Sequence, residues 1–152
     1  MDFAELDAAI DTQLRHDLAA LRRQCAADPL RAVAVCMVED LTGFFTAGLT
    51  ESRIARTAPA NRYEWFYPSE WGLAADDDAG DPAPGRVTTA LWALTGTCSD
   101  AGEVDEDTYE EIRGEYEDRL VATLARLRGE PQRTRERVEA FVARRPAIEE
   151  HL

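Results

Sequence analysis

The sequence predicts an α+β fold in which four or five helices pack on a small antiparallel sheet of two or three strands. Three observations predict it: an apolar stripe at helical spacing over 3–26, an unbroken apolar run over 32–38, and a second long stripe over 106–128. A length of 152 residues is typical of one domain, so we predict a single domain over 1–152. Because a lone hairpin is marginal in water, the sheet needs either helices to cover it or another strand.

The first predicted element is an amphipathic helix over 3–26, where apolar residues recur at steps of three and four. Asp2 is its expected N-cap. Asp28-Pro29 should end it, because the residue before a proline is pushed out of the α region. His16 lies off the apolar stripe, and we expect it to be a solvated helix residue and not a ligand.

The strands follow. Residues 32–38 are apolar throughout and include three branched valines, which fits a strand covered on both faces. Residues 43–48 are the expected antiparallel neighbour, and Thr50 is the expected N-cap of a short helix over 51–57. Residues 63–67 are also strand-like and are our candidate for a third strand.

The second half is predicted to be mostly helical. Residues 74–85 hold acidic residues, prolines and glycines, and predict a mobile surface loop. Helices are expected over 87–98, 106–128 and 132–144, and the tail 147–152 should fray.

An aromatic stretch at 63–71 holds five of the twelve aromatic residues of the chain. Rings of this size must be buried somewhere, so the stretch is either the floor of the core or the surface that meets a partner. The candidate binding residues are Trp65, Phe66, Tyr67, Glu70 and Trp71. Glu70 is the one carboxylate singled out, because an apolar pocket would raise its pKa. The alternative is that Glu70 accepts backbone amide hydrogens or pairs with Arg62.

The charge restricts the class of partner. The chain has 30 acidic and 17 basic residues, a formal charge of −13, which repels nucleic acid and anionic membranes. A basic protein is the partner that this charge favours, although the charge also serves solubility alone. No apolar run approaches the length of a membrane span and the N-terminus does not resemble a signal peptide, so we expect a cytoplasmic location.

The usual catalytic sets do not appear in the sequence. All 17 basic residues are Arg, so Schiff-base and P-loop lysines are excluded, and histidine occurs only at His16 and His151. The three aspartates at 76–78 lack the ligand spacing of a calcium loop. Three widely spaced cysteines predict buried free thiols and no metal site. We therefore expect no cofactor and no metal, and the sequence favours a chain without catalytic activity while leaving an enzyme as the alternative.

A short motif resembles an uncharacterised bacterial family, domain of unknown function four-three-zero-three. The resemblance rests on Tyr63, Pro68, Glu70 and Trp71. Phe66 and Tyr67 stand where the family has Trp and Ser. Over 1–128 the resemblance implies an N-terminal helix, a hairpin, the aromatic segment and further helices. The family pattern also has a C-terminal apolar strand, for which we find no room at 129–132. Since the family has no established activity, the resemblance implies a fold and no function.

Two functional hypotheses follow. The first is a non-catalytic protein-interaction domain, for example an immunity-type inhibitor whose acidic face meets a basic partner. Small acidic α+β proteins of this kind resemble the immunity proteins of bacterial toxin systems, which is an analogy of fold. The second is a small ligand-binding or hydrolase-like domain with a pocket around Glu70, Trp65 and Trp71. Homodimerisation through the aromatic stretch is compatible with both.

Overall fold

A computed structural model describes residues 1–38, 40–75, 83–96, 104–129 and 139–143. The elements in chain order are α1 (Ala4–Gln24), β1 (Leu30–Met37), β2 (Phe44–Thr50), α2 (Glu51–Arg56), two 3-10 helices (Pro59–Phe66 and Pro68–Glu70), α3 (Ala83–Thr95), α4 (Glu106–Gly129) and β3 (Glu139–Ala143). Helices packed on a small sheet confirm the predicted α+β class.

The sheet has the strand order β2-β1-β3. β1 pairs antiparallel with β2, from Leu30 opposite Thr50 to Met37 opposite Phe44, and this confirms the predicted hairpin. β3 runs parallel to β1 on its other side. The central position of β1 explains the apolar sequence of its middle, since a strand with neighbours on both edges and elements on both faces has little contact with solvent, and Val33, Ala34, Val35 and Cys36 are all buried.

One face of the sheet is covered by α1, α3 and α4. Their apolar stripes meet Val35 of β1 and Phe44 of β2 in the largest core cluster. Its fully buried members from the helices are Leu6, Ile10, Leu14, Val87, Leu91, Ile112, Tyr116 and Leu120. The three-to-four-residue spacing of these side chains places them on one side of each helix.

The opposite face of the sheet is covered by α2 and the 3-10 helices. Ala34, Ala47 and Leu49 point to this side, where Trp71 and Ile54 pack on them. The molecule is therefore layered, with three helices on one face of the sheet and short helical turns on the other.

Two strand predictions are wrong. Residues 63–66 form part of a 3-10 helix that ends before Tyr67, and the third strand is Glu139–Ala143, inside the helix that we predicted over 132–144. Because β3 is parallel to β1, the sheet is mixed and not purely antiparallel. The segment 139–143 is too short for its pattern of apolar residues to distinguish a strand from a helix, and the strand that it pairs with lies about 100 residues earlier in the chain.

The ends of the elements agree with the predictions in part. The Thr50 hydroxyl accepts a hydrogen bond from the Arg53 amide at 3.4 Å, which confirms it as the N-cap of α2. Asp2 accepts from the Ala4 amide at 3.0 Å, but α1 has Phe3 in the N-cap position. The loop predicted over 74–85 is wrong at both ends.

At its start, Ala74 forms a β-bridge with Ala47, and at its end α3 begins at Ala83. The rest of this loop, 76–82, lies outside the described residues, as do 132–138 and the tail 147–152.

The expectation that His16 is solvated is wrong. Its ring is half-buried, with Nδ1 3.4 Å from the carboxylate of Asp17. Asp17 is itself buried and accepts a hydrogen bond from the Thr46 hydroxyl at 2.6 Å. This bond joins α1 to β2, so a polar contact and not only the apolar stripe holds the helix on the sheet. No helix within the described ranges is both long and apolar enough to cross a membrane.

Candidate functional site

The aromatic stretch folds into two consecutive 3-10 helices because of its prolines. Pro59 and Pro68 each stand at the first turn of one helix, where a missing N–H costs nothing. Tyr67, the residue before Pro68, has φ −120° and ψ 91°, outside the helical region. Pro68 therefore ends the first helix and begins the second.

The three-residue period of the first 3-10 helix sorts its side chains. Residues three apart in such a helix lie one above the other. Tyr63 and Phe66 accordingly share one face, and both are exposed, Phe66 by 80%. Arg62 and Trp65 share another face, with the guanidinium carbon 5.6 Å from the centre of the indole ring, a cation–π contact.

The structure divides the predicted binding residues into two groups. Trp71 is buried on the sheet, and Trp65 is half-buried under Arg62. Phe66, Tyr67 and Glu70 are exposed. The aromatic stretch therefore contributes both to the core and to the surface, the two alternatives that the sequence left open. Trp71 belongs to the core, and other rings form a surface.

We call this surface the ring surface and define it by the side chains of Tyr63, Phe66 and Tyr67. Tyr63 and Tyr67 contact each other edge to face, with ring centres 6.2 Å apart and planes at 72°. Edge-to-face packing is a favourable geometry for aromatic pairs, and it restricts both rings.

The ring surface is anchored to the rest of the molecule by Arg53 of α2. Its guanidinium donates to the Glu64 carboxylate at 3.0 Å and to the backbone carbonyl of Glu70 at 3.0 Å. One arginine thus ties both 3-10 helices to α2. Below them Pro68 and Trp71 are buried, so the exposed rings stand on an ordered base.

A cleft of about 270 Å³ lies beside the buried ring of Trp71. Its lining includes Arg53, Arg56 and Asp28 as charged groups, and Cys25 on the apolar side. The Asp28 carboxylate accepts hydrogen bonds from the amide and the hydroxyl of Ser52. These bonds lower the pKa of the Asp28 carboxyl, and the bond from the hydroxyl has the largest effect.

Glu70 does not line this cleft. Its side chain is exposed, and among the described residues it makes neither the hydrogen bond to backbone amides nor the ion pair with Arg62 that the sequence allowed. Because the side chain of Glu70 is exposed, no apolar pocket surrounds it and its carboxylate stays hydrated.

A second surface is the first half of α4 together with Asp105, which we call the acidic segment and define as residues 105–118. It holds eight acidic residues and one arginine, a net charge of −7, which is more than half of the charge of the chain. Asp105 begins the helix by accepting from the Thr108 amide at 2.9 Å, and this bond lowers the pKa of its carboxyl. Negative charge is favoured there because the first amides of a helix are unpaired.

The buried side of α4 leaves most of these acids in solvent. Ile112 and Tyr116 face the core, while six acids are exposed: Asp105, Glu106, Asp107, Glu110, Glu111 and Asp118. Glu110 pairs with Arg113 at 3.4 Å. Within the described part of the chain Glu106, Asp107, Glu111 and Asp118 have no ion pair, so their charge is not neutralised locally.

In the described ranges no group of three or more His, Cys, Asp or Glu residues is close enough together to hold a metal ion. Asp76 to Asp78 and Cys98 lie outside these ranges. Cys25 and Cys36 are buried and form no disulfide within the described residues, in agreement with the prediction. Burial raises the pKa of the Cys36 thiol to about 11, so little thiolate forms at neutral pH.

Comparison with known proteins gives no relative: no protein-family model, no curated protein and no solved structure matches the chain. The resemblance to the uncharacterised bacterial family stays a prediction. The structural features that bear on function are the ring surface, the acidic segment and the cleft beside Trp71.

Sequence reasoning missed Tyr63 and Arg53 as parts of the site. The signal for Tyr63 was present, since Pro59 and Pro68 bracket the segment and a 3-10 period of three places Tyr63 with Phe66. No local signal marks Arg53, because its role depends on how α2 lies against the 3-10 helices.

Proposed function

We propose that the chain is a non-catalytic protein-interaction domain whose acidic segment binds a basic protein. The observation that carries this proposal is the concentration of charge: a net of −7 over residues 105–118, with four exposed acids for which the described part of the chain supplies no ion-pair partner. An acidic surface on a rigid element attracts a basic partner over distance and then contributes exposed ion pairs on contact.

An inhibitor of the immunity type is the specific form of this proposal. Such a protein binds a basic enzyme or toxin and blocks it, and needs no catalytic group of its own. The absence of lysine from the sequence and the exposed position of Glu70 support a role that involves contact and not bond-making.

The test compares two double variants of equal charge. Glu111→Gln with Asp118→Asn removes two unpaired charges from the acidic segment, and Asp2→Asn with Glu5→Gln removes two exposed charges from the start of α1. A partner is first captured from an extract of the source cells at low salt and identified by mass spectrometry. The dissociation constants of the purified partner with the wild type and both variants are then measured by calorimetry at two salt concentrations.

We expect the acidic-segment variant to bind roughly ten-fold more weakly, since each exposed pair contributes up to about 1 kcal/mol. The α1 variant should change affinity much less, and salt should weaken the wild-type complex. Equal effects of both variants would mean that only net charge matters. Failure to capture any partner at low salt would contradict the proposal.

A second candidate is the binding of a small charged ligand in the cleft beside Trp71. The cleft favours it because Arg53, Arg56 and Asp28 line it together beside the buried ring of Trp71, a set of charges suited to a molecule that carries both charges. A thermal-shift screen of amino acids, repeated on Arg56→Ala, tests it. Stabilisation of the wild type alone would support a site there, and no shift at millimolar ligand would remove it.

A further inference from the structure

The sheet face that carries Trp71 is covered only in part. Along β2, Phe45 points to the same face as Ala47 and Leu49, because side chains alternate between the faces of a strand. Ala47 and Leu49 are buried under α2 and Trp71, whereas Phe45 is 41% exposed. Val38, just after β1, is 37% exposed.

The ring surface belongs to the layer on this same face. Tyr63 is 57% exposed and Tyr67 40% exposed, in addition to Phe66. Among the described residues eight large apolar side chains are exposed, and five of them are these three rings with Phe45 and Val38. Isolated exposed apolar residues are normal, but a concentration on one side of a molecule indicates an interaction surface.

The charge of this region differs from that of the rest of the chain. Residues 44–75 contain three acidic and three basic residues and are neutral, while the chain as a whole carries −13. Two copies of so acidic a chain repel each other if they meet through their charged surfaces. The neutral layer is where a second copy can approach at the lowest electrostatic cost.

Opposite charges on this layer complete the pattern. Arg62 and Glu70 are both exposed, and among the described residues neither has an ion-pair partner. In a two-fold dimer the same surface meets itself, so an arginine of one protomer can face a glutamate of the other, twice. A basic partner finds no excess of acid here, since that excess lies on α4.

We propose that a second copy of this chain occupies the ring surface, forming a two-fold dimer in which Phe66 is buried and Arg62 pairs with Glu70 of the other protomer. The ordered base formed by Arg53, Pro68 and Trp71 favours this, because rings that are already held in place lose little freedom on binding. The proposal does not depend on the basic partner, which uses a different element.

Sedimentation equilibrium of the purified chain over about 1 to 300 µM tests the dimer, for which we expect a dissociation constant on the order of 10 µM. Phe66→Ala should weaken it roughly 100-fold, because a two-fold interface loses the ring twice. Val121→Ala is the matched control, since Val121 is an apolar residue of α4 with 48% exposure and should leave association unchanged.

Charge exchange locates the interface more closely. Arg62→Glu and Glu70→Arg should each weaken the dimer, because each places like charges opposite one another, and the double variant should restore it. Circular dichroism checks that every variant keeps the wild-type helix content.

A wild type that stays monomeric over the whole range overturns the proposal, as does a dimer that Phe66→Ala leaves unchanged. If the wild type is monomeric and Phe66→Ala abolishes binding to the captured basic protein or to anionic vesicles, the surface has that other occupant and the dimer is wrong.

Discussion

Gly48 in β2 gives a sharp test of how α1 packs on the sheet. A Cβ atom at this position would lie 2.8 Å from Leu30 Cδ1, 3.0 Å from Leu73 Cδ2 and 3.2 Å from Leu21 Cδ2. A contact of 2.8 Å at a Cβ is essentially never seen, so Gly48→Ala must displace the methyl group of Leu30, and those of Leu73 and Leu21 must give way by a few tenths of an ångström. The side chains of Leu30 and Leu21 are buried. Overpacking of this kind costs about 1–3 kcal/mol.

Because the obstructing atoms are the ends of side chains and not backbone, we expect a loss in the lower part of that range, about 1–2 kcal/mol. For a chain of this size that corresponds to a melting temperature lower by about 3–6 °C. Gly48 also donates its amide to the Leu73 carbonyl at 2.9 Å, so a shift of Leu73 would reach the segment that follows Trp71.

The matched control is Gly114→Ala in α4. A Cβ atom at Gly114 meets nothing within 4 Å, and alanine favours a helix over glycine by about 0.5–1 kcal/mol, so this variant should be more stable than the wild type. Urea denaturation measures both free energies of unfolding, with an unchanged m value as the check that only stability changed. A neutral or stabilising Gly48→Ala would refute the close packing around Gly48, to which β1 contributes Leu30 and α1 contributes Leu21.

Three further predictions concern the core and the ring surface. The Tyr116 hydroxyl is buried with no hydrogen-bond partner among the described residues. Tyr116→Phe should therefore be as stable as the wild type or more stable by up to about 1 kcal/mol, measured by urea denaturation. A clear loss of stability would show that the hydroxyl has a partner. Burial raises the pKa of the Tyr116 phenol, so the folded chain keeps a proton that the unfolded chain releases above about pH 10, and wild-type stability should fall more steeply above that pH than that of the variant. Arg53→Ala should speed amide hydrogen exchange of the two 3-10 helices while α1 and α4 exchange as before; unchanged exchange at Tyr67 and Glu70 would show that Arg53 is not the anchor.

The predictable parts of this fold are those with a local signal. The stripe of α1, the apolar run of β1 and the hydroxyl of Thr50 before α2 each express a physical requirement within a few residues, and the structure has each of them. β3 has no such signal, because what makes Glu139–Ala143 a strand is the free edge of β1. A parallel neighbour distant in the chain cannot be inferred from five residues.

The site was predictable in composition and not in arrangement. The aromatic stretch stood out by its rings, but which rings are buried depends on the 3-10 period and on the sheet beneath. Trp71 reaches Ala34 and Ala47, whose small side chains leave room for the indole, whereas Phe66 lies on the turn that faces away. The environment of Glu70 depends on the same geometry, and the sequence around it suggested a pocket that the fold does not form.

The order of the strands has a consequence for the growing polypeptide. β1 is made early, and β2 covers one of its edges at once, but the backbone groups on the other edge pair only with Glu139–Ala143. Until that part emerges from the ribosome, a row of amides and carbonyls on an apolar strand stays open to whatever strand is nearby. Any chain that stops short of Glu139 should keep this adhesive edge permanently, and should aggregate where the complete chain does not.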